Sequence, residues 1–171
     1  MQKEVKIYKE GMEEYSIQDA LISNFFMLLW IALGGMLCFF ISTWIARLYT
    51  IFALVMVYVV LRKLVCANCY YYDKICHMGW GKLSAKMFKN KGSLERFAAD
   101  PGMKCAAPTY MSLMFIPLIL GIAAMIKEFT FIKLLVYLVF LVISYYTMFS
   151  ARKKTCGKCK MRLFCPGSAV K

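Results

Sequence analysis

The sequence predicts an all-α integral membrane protein with four transmembrane helices, arranged as two tandem hairpin repeats that carry a cysteine-rich cytoplasmic cap. Of the 171 residues, 61% are hydrophobic and the mean hydropathy is +0.61, whereas soluble domains are about 45–50% apolar. Four apolar runs have about the length of roughly 20 residues that crosses a bilayer. These runs cover residues 21–41, 45–64, 110–126 and 129–150.

The elements follow in the order N-terminal segment, hairpin, loop, hairpin and tail. The predicted bounds are 1–20, 21–64, 65–107, 108–150 and 151–171. Very short connections near Ser42 and Lys127 close the two hairpins. In the loop, Trp80, Leu83 and Met87 recur at helical spacing opposite several lysines, which predicts a short interfacial helix. Trp80 and its neighbouring tyrosines at 70–72 are expected to anchor the chain at the membrane interface.

The charge distribution predicts the orientation of the chain. The net charge is +13, and lysine and arginine are concentrated in the loop and the tail. The positive-inside rule therefore places both termini and the loop in the cytoplasm of a multi-pass cell-membrane protein. Basic residues beside anionic lipid head groups gain about 1 kcal/mol each. The expected partner is thus the lipid bilayer with its anionic head groups. This explains the positive charge without a nucleic-acid partner. A membrane or cytoplasmic protein subunit is a further candidate partner.

Two copies of one cysteine motif follow the second helix of each hairpin. They read Arg62-Lys63-x-x-Cys66-x-x-Cys69 with Cys76 downstream, and Arg152-Lys153-x-x-Cys156-x-x-Cys159 with Cys165 downstream. The two motifs lie 90 positions apart, and Leu33-Gly34 matches Leu120-Gly121 at a separation of 87. This register predicts two units in the same orientation, related by a pseudo-twofold axis along the membrane normal.

Cysteine triplets on the cytoplasmic side predict a metal site, because cytoplasmic thiols stay reduced and structural disulfides are rare there. A tetrahedral site needs four ligands, and each triplet supplies three. The candidate ligands are Cys66, Cys69, Cys76, Cys156, Cys159 and Cys165, with Cys105 or His77 as the fourth ligand of a triplet. In a second partition, both Cys-x-x-Cys pairs share one site and Cys76, Cys105 and Cys165 belong to another.

The expected cofactor is zinc, with an iron–sulfur cluster as the alternative. Cys165-Pro166 resembles the Cys-Pro that ends bacterial ferredoxin motifs, although the spacing before it differs. A thiol–disulfide oxidoreductase is the minor alternative, since Cys66 and Cys156 follow helix C-termini, where the dipole opposes a thiolate. Cys38, alone in the first apolar run, is expected to pack at a helix contact.

The sequence lacks the residues that several classes of membrane protein and enzyme require. No Asp or Glu lies within the four apolar runs, which argues against ion pumps and ion-coupled transporters. The sequence has no phosphate-binding glycine loop, no Gly-x-Ser-x-Gly and no His-Glu-x-x-His. It therefore indicates no reaction. A scaffold or accessory subunit with a cysteine-ligated metal is the predicted function, and a membrane-anchored iron–sulfur electron-transfer protein is the alternative.

Overall fold

The computed structural model describes residues 7–89, 92–99 and 101–170, and within these ranges every regular element is a helix. The α-helices are α1 (Ile17–Phe39), α2 (Thr43–Val55), α3 (Leu61–Leu64), α4 (Trp80–Met87), α5 (Leu94–Ala99), α6 (Pro101–Lys127), α7 (Phe131–Tyr145) and α8 (Arg152–Gly157). Two π-helical segments, Met56–Val60 and Tyr146–Ala151, join α2 to α3 and α7 to α8, and a 3₁₀ turn covers Cys66–Asn68.

Four helical stretches are long and apolar enough to cross a membrane, as the hydropathy predicts. They are Ile17–Phe39, Thr43–Asn68, Leu94–Lys127 and Phe131–Gly157. The third stretch begins at Leu94 and its long helix α6 begins at Pro101, both before the predicted hairpin start at 108. Proline suits the first position of a helix, where its missing N–H has no intrahelical partner. Cys105 consequently lies in a helix and not in the connecting loop.

Helix α1 is the centre of the bundle and packs against α2, α6 and α7. The Trp30 ring stacks on Phe140 of α7 with centroids 5.9 Å apart. Its Nε1–H donates to Ser144 Oγ at 2.8 Å, so the buried indole has an acceptor. Cys38 is fully buried in the same core, as expected for a residue that packs at a helix contact.

A glycine in the first helix of each hairpin contacts a tyrosine of the second helix. A Cβ at Gly34 would lie 2.3 Å from Tyr49 Oη, and a Cβ at Gly121 would lie 2.9 Å from Tyr137 Cδ2. Tyr49 Oη donates to the Leu113 carbonyl at 2.9 Å, which ties α2 to α6. Because Gly34 has no side chain, the phenol ring of Tyr49 and its hydroxyl fit between the helices of the apolar bundle.

The outer surface of the bundle is apolar. Trp44, Ile126 and Phe131 near the two tight turns are 71%, 81% and 72% exposed. Large exposed apolar surfaces are rare on soluble monomers and are normal where a protein faces lipid. The burial pattern is thus that of helices whose outer faces need an apolar surrounding.

Candidate metal centre

Both Cys-x-x-Cys motifs fold into the same turn at the end of a hairpin. Cys69 N–H donates to the Cys66 carbonyl at 3.3 Å, and Cys159 N–H donates to the Cys156 carbonyl at 3.2 Å. The flanking backbone hydrogen bonds also recur 90 positions apart. The bond from Asn68 N–H to the Val65 carbonyl matches the bond from Lys158 N–H to the Thr155 carbonyl. The bond from Tyr72 N–H to the Cys69 carbonyl matches the bond from Arg162 N–H to the Cys159 carbonyl. A π-helical segment precedes the Arg-Lys pair in both copies. We call residues 66–79 the first cysteine loop and residues 156–167 the second cysteine loop.

The N-terminal segment, residues 8–16, lies between the two cysteine loops. Met12 N–H donates to the Lys158 carbonyl and Tyr15 N–H donates to the Ile75 carbonyl, both at 2.9 Å. Tyr71 of the first loop donates to the Met12 carbonyl at 2.7 Å and accepts from Lys160 N–H at 3.2 Å. One short segment thus joins both loops by backbone hydrogen bonds.

A single carboxylate reinforces this junction. Glu13 pairs with Lys74 of the first loop at 3.3 Å and with Lys160 of the second loop. Tyr70 Oη donates to the same carboxylate at 2.5 Å. Hydrogen bonds from Lys160 and Tyr70 lower the pKa of Glu13 to about 2. Sequence reasoning missed this residue, since nothing in the local pattern of the N-terminal segment points to the loops.

Thiols of the two loops interact electrostatically across the junction. The Cys69 thiol lies within electrostatic range of Cys76 in its own loop and of Cys159 and Cys165 in the other loop. Cys66 interacts in the same way with Cys69 and Cys76. Within the second loop, Cys165 lies in electrostatic range of Cys156. Each of the six predicted loop ligands thus interacts electrostatically with at least one other.

These thiols are poorly hydrated. Burial raises the pKa of the Cys69 thiol to about 12, and it also raises the pKa values of the Cys159 and Cys165 thiols. Without a bound cation these groups are protonated at neutral pH. A metal that binds them must displace protons, so its affinity increases with pH until the thiols are ionised.

The two candidates for a fourth ligand are in different surroundings. His77 Nε2 is 2.9 Å from Ser23 Oγ of α1, and its ring meets the Tyr15 ring edge-on. Cys105 lies in the first turns of α6, and its carbonyl accepts from Thr109 Oγ1 at 2.7 Å. Within residues 7–89, 92–99 and 101–170, no three His, Cys, Asp or Glu side chains are arranged to hold a metal ion. The donor types suit zinc or iron–sulfur ligation, but their present arrangement is not a formed ligand set.

Two aromatic residues expected at the membrane interface are instead inside the protein. Tyr71 and Trp80 are 3% and 9% exposed, so the interfacial prediction is wrong for both. Tyr71 serves the junction described above, and Trp80 Nε1–H donates to Asn24 Oδ1 of α1 at 3.0 Å. Their aromatic character was visible in the sequence, but the surface that buries them is formed by distant parts of the chain.

Arg62 is the functional candidate that sequence reasoning treated only as part of a basic pair. It lies in α3, near the end of the second helix of the first hairpin, yet it is 1% exposed. Its guanidinium lies over the rings of Tyr58 and Trp80, at 4.5 and 4.9 Å from their centroids. Arg152, its counterpart in the second motif, donates instead to the Gly167 carbonyl in an exposed position. The same sequence motif therefore places its arginine in two different environments.

Comparison of the chain with protein-family models, curated proteins and solved structures finds no significant match. Function must be inferred from the geometry of the site.

Proposed function

We propose that the protein is a multi-pass component of the cell membrane in which two tandem hairpin units present their cysteine loops to the cytoplasm and hold a structural zinc ion. The proposed ligands come from Cys66, Cys69, Cys76, Cys156, Cys159 and Cys165, with Cys105 or His77 available to complete a set. The metal-bound cap would act as a scaffold or as the docking part of an accessory subunit. Anionic lipid head groups and a second protein subunit are the proposed partners.

One observation carries this proposal: Cys69 of the first loop lies in electrostatic range of Cys159 and Cys165 of the second loop. Zinc prefers four thiolate or imidazole ligands, and two cysteine knuckles that approach each other are a common source of them.

The tandem arrangement is supported by structural features that recur in both hairpin units. Both units have a π-helical segment before the Arg-Lys pair and the same turn at the Cys-x-x-Cys motif. Both also place a glycine of the first helix against a tyrosine of the second. These local similarities favour duplication of one helical hairpin.

A structural role fits the thiols better than a catalytic one. Reactive cysteines have lowered pKa values and accessible sulfur atoms, whereas burial raises the pKa values of Cys69, Cys159 and Cys165. A structural zinc site in a small peptide supplies about 10–16 kcal/mol of apparent binding free energy at neutral pH. Such an ion would fix the relative positions of the two loops.

The first experiment is metal analysis of protein purified anaerobically in detergent. We expect bound zinc and no broad absorption near about 400 nm, since that absorption is typical of iron–sulfur centres. Cys69→Ser should lower the bound metal, and Cys38→Ala, which removes a thiol buried within the bundle, should leave it unchanged. Iron with sulfide would convert the proposal into a membrane-anchored electron carrier. Metal-free protein with freely alkylated loop cysteines would contradict it.

A second experiment tests the orientation. A fluorescent protein fused after Lys171 should fold and fluoresce, and alkaline phosphatase at the same position should be inactive, because both termini are proposed to be cytoplasmic. Active phosphatase would reverse the topology and remove the reducing environment on which the metal site depends.

A further inference from the structure

A groove lies between α1 and α2, close to the tight turn that joins them and at the opposite end of the helices from the cysteine loops. Its volume is about 480 Å³, within the range of about 300–1,000 Å³ that is usual for ligand sites. The buried Gly35 and the half-buried Ala46 and Thr50 line it, and the exposed side chains of Met36 and Ile51 flank them. The lining is thus mostly apolar and opens on the outer face of the bundle.

The depth of the groove depends on small side chains. A Cβ at Gly35 would lie 3.0 Å from Thr50 Oγ1, so the two helices approach each other closely at this level. In the register that matches Gly34 with Gly121, the place of Gly35 is taken by Ile122 in the second hairpin. The second hairpin therefore carries a bulky side chain at the position where the first has an open lining.

A cation lies at the mouth of the groove. Arg47 is an exposed lining residue, and its guanidinium carbon lies 5.2 Å from the centroid of the Trp44 ring. The ion pairs among the described residues involve lysines, and none involves Arg47. The ring covers one face of the guanidinium, whereas the in-plane N–H groups suit the paired oxygens of a phosphate. The apolar groove is thus joined to an unpaired cation.

The first turn of α2 adds to this positive end. It contains no acidic residue, and Ser42 makes no side-chain cap to the helix. The free amides at a helix N-terminus attract anions, and Thr43 in the same turn also lines the groove. An anion at Arg47 would therefore meet no competing carboxylate from this turn.

Charge distinguishes between the possible occupants. A second copy of this chain could offer an apolar helix, but the four apolar runs contain no acidic residue. Glu128, the acidic residue of the other tight turn, is already paired with Lys133 at 3.3 Å. A phospholipid supplies an acyl chain and a phosphate in one molecule. An exposed tryptophan such as Trp44 is typical of the level at which lipid head groups lie.

We propose that the groove between α1 and α2 binds a phospholipid, with one acyl chain along Gly35 and Ala46 and the phosphate at Arg47. This inference rests on the membrane placement proposed above and does not depend on the zinc site. It adds a lipid site at the opposite side of the membrane from the cysteine loops.

The test is a lipid titration of the full-length protein in detergent, followed by native mass spectrometry. The probes are dioleoyl phosphatidylglycerol and dioleoyl glycerol, which share their acyl chains and differ in the phosphate-containing head group. Hydrogen bonds to a charged group justify an expected preference of about 10- to 100-fold for the phospholipid. Equal binding of the two probes would overturn the inference, since the groove would then not recognise the phosphate.

Two substitutions of cations form a matched pair. Arg47→Gln should weaken phosphatidylglycerol binding by about 10- to 100-fold and leave dioleoyl glycerol binding unchanged. Lys133→Gln removes a cation at the other tight turn that already has Glu128 as its partner, and it should bind both probes as the wild type does. Equal losses in the two variants would indicate general attraction of charge and would overturn the inference.

A third variant tests the apolar part of the groove. Ala32→Leu places a larger side chain at an exposed lining position and should weaken the binding of both probes. Unchanged binding in this variant would place the acyl chain elsewhere and contradict the proposal. If the variant does not fold, as judged by its helical circular dichroism, the comparison of Arg47→Gln with Lys133→Gln still decides the question.

The outcome for the protein function is measured separately. Alkaline extraction that releases the wild-type chain from membranes would remove both the proposed membrane placement and the lipid site. A chain that stays in the membrane but binds the two probes equally would overturn the lipid site alone. Lipid-free dimers that dissociate in Ala32→Leu would assign the groove to a second copy of the chain and would likewise overturn it.

Discussion

The two cysteine loops share a motif and a turn, and both contact the N-terminal segment, but α4 packs on the first loop. The first loop is covered by α4, whose Trp80 closes over Arg62 and shields it from solvent. The N-terminal segment packs on the second loop, where the guanidinium carbon of Arg162 lies over the Tyr8 ring, 3.8 Å from its centroid. In this second loop Arg152 stays exposed. The two occurrences of the motif thus have different electrostatic environments, because α4 covers Arg62 whereas Arg152 stays exposed.

The largest expected effect tests the cover of the first loop. Trp80→Ala removes a buried ring that contacts Tyr58 and Arg62 and bonds to Asn24. We expect a loss of about 3–5 kcal/mol in the free energy of unfolding, as for other buried tryptophans. Reversible denaturation in mixed detergent micelles measures this loss. Trp44→Ala, at a residue 71% exposed, is the control and should change stability by less than about 0.5 kcal/mol.

A smaller effect compares the two hairpins through their glycines. Gly34→Ala should cost about 1–3 kcal/mol, because its Cβ would lie 2.3 Å from Tyr49 Oη and displace the bond to Leu113. In Gly121→Ala the new Cβ would lie 2.9 Å from Tyr137 Cδ2 and 3.3 Å from Leu37 Cδ2, and no hydrogen-bonding atom is among these neighbours, so the substitution should cost less. The same unfolding assay ranks the pair. A larger loss at Gly121 would show that the Tyr49 contact does not limit the approach of the helices.

Alkaline pH should act on the cysteine loops before it acts on the bundle. The pKa of the Cys69 thiol is raised from 9.0 to about 12 by burial, and burial also raises the pKa values of Cys159 and Cys165. A raised folded-state pKa contributes stability that is present below pH 9 and is lost as pH rises toward the folded value. In metal-free protein, proteolysis within the loops should therefore increase above about pH 9. Zinc-loaded protein should not show this increase, since its bound thiols carry no protons.

The smallest effect concerns the carboxylate that joins the loops. Hydrogen bonds lower the pKa of Glu13 from 4.5 to about 2, so its contribution is present above pH 4.5 and is lost as pH falls toward 2. Glu13→Gln should produce faster hydrogen exchange at the Met12 and Tyr15 amides, without unfolding the protein. Glu10→Gln, which loses only the contact with Tyr8 among the described hydrogen bonds, is the control. Unchanged exchange in Glu13→Gln would mean that backbone bonds alone hold the segment between the loops.

The helical part of this protein can be predicted from local sequence patterns. Four apolar runs, joined in two pairs by tight turns, predict four long helices, because hydropathy and residue spacing are local properties of the sequence. The cysteine motifs were predicted at the ends of the hairpins, and all lie at the end of the bundle where the N-terminal segment also packs. The start of α6 at Pro101 was missed because the first residues of this helix, before Tyr110, are less hydrophobic than the rest.

The contacts between the two cysteine loops and the N-terminal segment depend on tertiary packing. Glu13 and Lys160 are 147 positions apart, and Tyr15 and Thr155 are 140 positions apart, yet both pairs are in contact. The burial of Arg62 likewise requires Trp80 to fold back over it. Such pairings depend on the shapes of surfaces that exist only after the helices have packed, and local hydropathy carries no information about them. The Arg-Lys and cysteine motifs are thus visible in the sequence. The burial of Arg62 and the exposure of Arg152 depend on which distant segment packs on each loop.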